Sequence, residues 1–137
     1  MNKRYVFDTN VLVSSAIFKK SIPRQAFDLA LSKGQVIMSK VCHDEFIEVL
    51  MRSKFDKYLS IVGRTDFIQF VEKGMLFLEY ITPQITACRD FKDNKYLDLA
   101  TQGNAECIIT GDADLLVLHP FQNISIVQPA VFLEMNV

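Results

Sequence analysis

Short apolar runs alternate along the chain with longer segments in which apolar residues recur every three or four positions. The short runs have the β-branched and aromatic content of buried strands, whereas the longer segments have the spacing of amphipathic helices. The pattern predicts strands at residues 3–7, 36–38, 78–82, 105–110 and 124–127. Strands that alternate with helices favour a mostly parallel sheet with helices on both faces, a three-layer α/β/α sandwich.

The helices predicted between these strands begin at capping residues or prolines and end near glycines. They are expected at residues 10–17, from Pro23 to Gly34, at 40–52, from a Thr65 cap to about Phe77, at 93–102, and from Pro129 onward, with a short helical connector at 53–63. No repeat, low-complexity segment or linker interrupts the pattern. Residues 1–137 are therefore expected to form one domain.

Composition narrows the class of protein without naming a function. The chain has 137 residues, half of them hydrophobic, which suits a domain with a substantial core. A net charge of −1 gives no overall signal for nucleic acid. The three cysteines form no CxxC motif and are expected to be buried thiols in a reducing compartment. Neither a signal peptide nor an apolar run long enough to span a membrane is visible, so the expected location is the cytoplasm.

Two carboxylates lie just after predicted strands. Asp8 follows the first strand and Asp112 the fourth, and the carboxyl ends of parallel strands share one edge of the sheet. The helix after the second strand can bring Glu45 to this edge, and the helix beginning near Asp93 can bring that residue. Plainer roles are also possible: Asp8, Asp93 and Asp114 could be helix caps, and Glu45 could be part of a solvated face.

Four carboxylates at one edge would repel one another and would have raised pKa values. Mg²⁺ or Mn²⁺ would relieve that repulsion, since both are hard cations that prefer oxygen ligands. A metal ion held in this way can generate hydroxide and stabilise charge on a phosphoryl oxygen, which is the chemistry of phosphodiester hydrolysis. Nearby basic residues could contact a phosphate backbone or be scattered surface charge. They are Lys19, Lys20, Arg24, Arg52, Lys54 and Arg64.

Five ordered segments together are specific, although each one is weak by itself. They are Asp8-Thr9-Asn10, Glu45 in the helix at 42–50, DNKYLDLA at 93–100, TGDADLL at 110–116 and IVQPAVFL at 126–133. With these segments the chain resembles the PIN-domain nucleases over nearly its whole length, and within them the toxin-like branch of prokaryotic toxin–antitoxin systems. That branch often has proline where this chain has Phe91, which alters a loop and removes no acid.

The resemblance implies metal-dependent cleavage of single-stranded RNA with Mg²⁺ or Mn²⁺ as cofactor. It assigns catalysis and metal binding to four acids, Asp8, Glu45, Asp93 and Asp112, with Asp114, Asn10 and Thr110 as auxiliary candidates. From the residues alone, Asn10 and Thr110 could orient a carboxylate or a metal-bound water, or could simply form turns. The resemblance further implies a cognate antitoxin protein as partner and a homodimer.

Two other functions are compatible with the same pattern. A non-catalytic module could keep the fold and bind RNA or a protein without turnover. An aspartyl-phosphate phosphatase or receiver-type domain would also have Asp8 after its first strand. The haloacid-dehalogenase-like phosphatases usually need a second aspartate two residues later, however, and Asn10 occupies that position.

Overall fold

The computed structural model describes residues 3–135, which contain a five-stranded, entirely parallel sheet. The strands are β1 (Lys3–Phe7), β2 (Gly34–Met38), β3 (Met75–Phe77), β4 (Cys107–Ile109) and β5 (Ser125–Val127). Their order across the sheet is β3-β2-β1-β4-β5, and every neighbouring pair is parallel. The predicted α/β class with a mostly parallel sheet is confirmed.

Seven α-helices connect or follow these strands within residues 3–135. They are α1 (Thr9–Ile17), α2 (Ile22–Lys33), α3 (Lys40–Leu50), α4 (Ile61–Gly74), α5 (Asn94–Gln102), α6 (Ala113–Leu116) and α7 (Pro129–Glu134). Two short 3₁₀ turns lie at Ser53–Phe55 and Phe91–Asp93. No helix in this part of the chain is both long and apolar enough to cross a membrane.

The direction of the crossover connections reverses at β1. In open α/β sheets, such a reversal marks the edge where ligands bind. The first two crossovers run from β1 to β2 and on to β3, whereas the next returns across the sheet to β4. Because such connections are right-handed, α5 covers the opposite face from the helices that precede it. Ligands of open α/β sheets bind outside the carboxyl ends of the strands at such a switch point. In this protein the switch point lies between β1 and β4.

The sheet is buried at its carboxyl ends, where the last three residues of β1, β2 and β4 are inaccessible to solvent. Tyr5 and Phe7 project from the same face of β1. They make edge-on aromatic contacts with Phe132 of α7, at 5.3 Å between ring centroids, and with Phe27 of α2, at 5.5 Å. Packing against these two helices therefore fixes the position of β1, which Asp8 directly follows.

The predicted strand at 78–82 is wrong, because the third strand ends before it begins. Met75 and Phe77 pair in register with Val36 and Met38 of β2, and the ladder places this strand at 75–77. The predicted start of α4 at Thr65 is also wrong. The Ser60 side chain caps this helix by accepting a hydrogen bond from the Gly63 N–H at 3.0 Å. The helical connector predicted at 53–63 is likewise wrong, because only Ser53–Phe55 forms a 3₁₀ turn and α4 begins at Ile61. Apart from these segments and the far end of α4, the predicted elements fall within one or two residues of the observed ones.

Arg64 is a structural residue, since its side chain is 1% exposed and cannot reach a phosphate backbone. Its guanidinium donates to the carbonyl oxygens of Leu59 and Leu50 at 2.9 and 3.3 Å, and to the Asp56 carboxylate at 2.6 Å. Arginine suits this position because its planar fork carries five N–H donors. The side chain thereby ties the start of α4 to the end of α3.

Replacing Arg64 with methionine is expected to lower the free energy of unfolding by about 2–4 kcal/mol, because buried carbonyl oxygens lose their donors. Urea unfolding followed by circular dichroism measures the loss. Arg52→Met is the matched control, since Arg52 is exposed and pairs with Glu48 on the surface at 2.9 Å. An Arg64→Met loss no larger than the control's would contradict the structural role.

Candidate active site

Asp8 is a buried carboxylate at the carboxyl end of β1, with 4% of the residue exposed. One oxygen, Oδ1, accepts the Val11 N–H at 2.9 Å and so caps α1, as the plainer reading of Asp8 predicts. The other oxygen, Oδ2, accepts the hydroxyl of Thr110. Burial raises the pKa of Asp8 to about 6, although these hydrogen bonds oppose the rise and the charges of Asp112 and Glu45 add to it. Capping alone does not require a carboxylate in such a costly position.

Thr110 connects the ends of the two central strands. Phe7 and Ile109 are paired neighbours in β1 and β4, so Asp8 and Thr110 leave the sheet side by side. While the Thr110 hydroxyl donates to Asp8, its oxygen accepts the backbone N–H of Asp112 at 3.0 Å. The auxiliary candidate Thr110 therefore orients one acid and anchors the loop that carries another.

Asp93 and Asp112 form a hydrogen-bonded pair of carboxyl groups. Burial, followed by the hydrogen bond and the charge of Asp112, raises the pKa of Asp93 to about 7. The same hydrogen bond lowers the pKa of Asp112. A second negative charge is thus unfavourable beside the first, and Asp93 is the group whose ionisation becomes more difficult.

Glu45 is held differently, by donors that satisfy both of its oxygens. Oε1 accepts the hydroxyl of Thr9 at 2.6 Å and also the hydroxyl of Tyr96. Oε2 accepts the ammonium group of Lys95 at 2.9 Å. Burial would raise the pKa of Glu45, but the bonds from Thr9, Tyr96 and Lys95 outweigh burial and keep that pKa below its ordinary value. Glu45 is therefore held as an anion, and the ammonium group of Lys95 is its counterion.

Tyr96 joins three helices around Glu45. Its hydroxyl oxygen accepts the Thr9 N–H of α1 at 3.0 Å, and the hydroxyl donates to Glu45 of α3 from its own position on α5. Tyr96 is buried, and the sequence pattern does not reveal its polar contacts. The available signal was the hydroxyl itself, because a buried tyrosine usually finds a hydrogen-bond partner.

The remaining candidates lie at the margin of this group. Asn10 is exposed and lines a cavity of about 750 Å³ together with Asp8 and Asp112. Asp114 offers its backbone N–H to Asp112 Oδ1 at 2.9 Å, which caps α6. Within residues 3–135, no hydrogen bond or ion pair engages the carboxylate of Asp114.

The four acids do not form one preassembled cage. Across residues 3–135, no group of three or more His, Cys, Asp or Glu side chains lies in a geometry that could hold a metal ion. The acids form instead the pair Asp93–Asp112, the buried neighbour Asp8, and Glu45 with its lysine. The donor chemistry still suits Mg²⁺, which usually takes one or two carboxylates and keeps several waters.

Comparison with known proteins identifies the family of this chain. The sequence profile of the PIN domain family matches residues 4–114, most of the chain. The chain belongs to the PIN domain family. This PIN domain is also similar to an uncharacterized protein of Methanocaldococcus jannaschii, with 31% identity over 116 residues that cover 84% of this chain and 74% of the relative.

Family membership carries general consequences for the site of this PIN domain. PIN domains are generally nucleases, and those nucleases typically use divalent metal ions. The matched region spans all four predicted acids and ends at Asp114. The toxin-like branch within the family stays a prediction from the sequence motifs.

Proposed function

We propose that this PIN-domain protein is a metal-dependent endoribonuclease that hydrolyses phosphodiester bonds of single-stranded RNA with Mg²⁺ or Mn²⁺. The observation that carries the proposal is the group of carboxyls at the β1–β4 switch point. Two of them, Asp8 and Asp93, have pKa values raised to about 6 and about 7. Carboxyls destabilised by burial and by one another at a ligand-binding edge are typical of a functional site.

The chain's own residues have distinct tasks in the proposed reaction. Asp93 and Asp112 would hold the ion, with Asp8 beside them and oriented by Thr110. When bound, the ion supplies a water of lowered pKa and stabilises negative charge on a phosphoryl oxygen. Asp93, with its raised pKa, must first lose its proton, because an ion and a proton compete for the same oxygens.

A groove of about 800 Å³ next to the acids supports a single-stranded substrate. Tyr80 and Phe91 line it and are 91% and 73% exposed, and Lys92 lies among them. Asn94 and Lys95, which directly follow Asp93, line the same groove. Unpaired bases stack on exposed aromatic rings, and lysines contact the backbone phosphates, whereas paired bases offer no free face.

Alanine at Tyr80 or at Phe91 is expected to weaken binding of a short single-stranded RNA by roughly tenfold, since stacking of one base contributes about 1–3 kcal/mol. Fluorescence anisotropy in EDTA measures affinity apart from cleavage. Tyr58→Ala is the matched control, because Tyr58 is also exposed but packs against Phe18 at 5.8 Å. Equal affinities for wild type and both groove variants would contradict this use of the groove.

The test of the function is cleavage of single-stranded RNA with Mg²⁺ or Mn²⁺ and with EDTA. The proposal expects turnover by the wild type that stops in EDTA and in Asp8→Asn. Wild type that cleaves no faster than Asp8→Asn would defeat it. RNA binding that survives EDTA with no turnover would instead establish the alternative, a non-catalytic PIN-fold binding module.

The proposal extends to the biological setting that the family resemblance implies. There the protein is the toxin of a toxin–antitoxin pair in the cytoplasm, restrained by a cognate antitoxin and assembled as a homodimer. Cys42, Cys88 and Cys107 are free and buried, which agrees with a reducing compartment. A neighbouring small open reading frame with a DNA-binding N-terminus would support the toxin role, and sedimentation would test the dimer.

A further inference from the structure

The acidic edge already contains one fixed cation, the ammonium group of Lys95. Its Nζ donates to Glu45 Oε2 at 2.9 Å and to the carbonyl oxygen of Lys92 at 2.7 Å, and it lies 5.1 Å from the centre of the Tyr96 ring. The Lys95 side chain is only 16% exposed. It is therefore held in place by its surroundings, unlike an exposed surface lysine, which samples many rotamers.

Glu45 has little capacity left for another cation. Each carboxylate oxygen offers two lone-pair sites. Oε1 uses both, for the hydroxyls of Thr9 and Tyr96, and Oε2 uses one for Lys95. An ion that bound Glu45 through Oε1 would have to displace a buried hydroxyl, and one at Oε2 would lie against the ammonium group.

On the other side of the edge, the three aspartates have no ion-pair partner in the part of the chain that the structure describes. Among the described residues 3–135, no lysine, arginine or histidine forms an ion pair with Asp8, Asp93 or Asp112. Asp8 and Asp112 line one cavity and are linked through the Thr110 hydroxyl, and Asp93 lies close enough to Asp112 for each to change the pKa of the other. The charge of Lys95 also reaches Asp93 and lowers its pKa, but burial, Asp112 and Asp90 raise that pKa by more. The three aspartates therefore still need a further positive charge, whereas Glu45 already has one.

We propose that Lys95 is a permanent counterion of Glu45 and takes the place of a second metal ion. Glu45 is then a positioning residue that holds Thr9 and Tyr96, and the edge takes one divalent ion on the side of Asp8, Asp93 and Asp112. This assignment differs from the four-ligand site that the family resemblance implies. It rests on the proposed function only for the kind of ion, a divalent one.

The experiment counts bound Mn²⁺ on the full-length chain by isothermal titration calorimetry at pH 7.5, with free Mn²⁺ followed by electron paramagnetic resonance. Wild type is expected to bind one Mn²⁺, Glu45→Gln to bind one with affinity within about threefold, and Asp112→Asn to lose the ion. Two ions on wild type with one lost in Glu45→Gln would overturn the inference, as would loss of all binding in Glu45→Gln.

Two further variants at position 95 separate charge from folding. Lys95→Arg keeps the positive charge and is expected to bind one Mn²⁺, as wild type does. Lys95→Met leaves Glu45 without its counterion and is expected to bind a second Mn²⁺, provided that circular dichroism shows it folded; a folded variant that binds only one would count against the inference. If Lys95→Met does not fold, the Glu45→Gln and Lys95→Arg titrations decide the matter.

The outcome for the ion count is independent of the outcome for the proposed function. Wild type that binds one Mn²⁺ in this pattern and does not cleave RNA would overturn the endoribonuclease proposal alone. Wild type that cleaves RNA with two bound ions, one of them dependent on Glu45, would overturn the role of Lys95 alone.

Discussion

Asp8→Asn is expected to stabilise the folded protein and to abolish RNA cleavage. The raised pKa of Asp8, about 6 compared with an ordinary value of 3.8, means that ionising this buried group costs the native state about 3 kcal/mol above pH 7. Asparagine keeps the side-chain oxygen that caps α1 and carries no charge to bury. A gain in stability that accompanies a loss of function is typical of residues kept for chemistry.

The stability gained in Asp8→Asn should depend on pH. Because the pKa of Asp8 is higher in the folded than in the unfolded state, its contribution to stability is fully present below about pH 4. That contribution is lost as the pH rises through 6, so the advantage of Asp8→Asn should be largest above pH 7 and small at pH 4. Urea unfolding in EDTA at both pH values measures it.

Asp66→Asn is the matched control for Asp8→Asn, because it makes the same change at an exposed position of α4. Its expected effect on the free energy of unfolding is within about 0.5 kcal/mol at either pH. An Asp8→Asn variant that is less stable than wild type at pH 7.5 in EDTA would show that Asp8 is kept for folding rather than for chemistry.

Asp112→Asn is expected to reduce cleavage by at least about a hundredfold, the usual scale for removing one preorganised electrostatic group. It should also remove the rise in melting temperature that Mn²⁺ gives to wild type, which at a hundred times the dissociation constant corresponds to about 2.7 kcal/mol. Asparagine can still cap α6 through its side-chain oxygen. A folding defect is therefore not expected, and thermal melting with and without Mn²⁺ provides the measurement.

The stabilisation of wild type by Mn²⁺ should itself depend on pH. Asp93 and Asp8, with pKa values of about 7 and about 6, must lose their protons before the ion binds. The shift in melting temperature should thus be greatest near pH 8 and disappear toward pH 5. The carboxylate of Asp114 makes no hydrogen bond or ion pair within residues 3–135, so Asp114→Asn should keep both the shift and its pH dependence.

The second prediction fails if Asp112→Asn retains the Mn²⁺-dependent shift or cleaves RNA at the wild-type rate. It also fails if Asp114→Asn loses as much as Asp112→Asn does, because the auxiliary acid would then be an essential one. The two aspartates lie two residues apart and receive the same substitution, which makes the comparison direct.

Much of the fold follows from the sequence because local patterns determine local structure. Short runs of β-branched and aromatic residues indicated strands, apolar residues spaced three or four apart indicated helices, and alternation of the two indicated a parallel sheet. From there the convergence of Asp8 and Asp112 required only that strands β1 and β4 be neighbours, which they are. The same reasoning misplaced β3, because residues 78–82 are apolar enough for a strand and only the register with β2 shows that the pairing lies at 75–77.

The sequence by itself determined the α/β class and most element boundaries and indicated the candidate acids, since each depends on spacing along the chain. Only the tertiary structure decided how those acids are partnered. Glu45 meets Lys95 across 50 positions, Thr9 meets Tyr96 across 87, and Asp8 meets Thr110 across 102. Arg64 looks like a surface residue in the sequence, but its side chain is buried and has a structural role. The physical reason is that a charge acquires its role from burial and from the groups that it contacts, and neither is a local property of the chain.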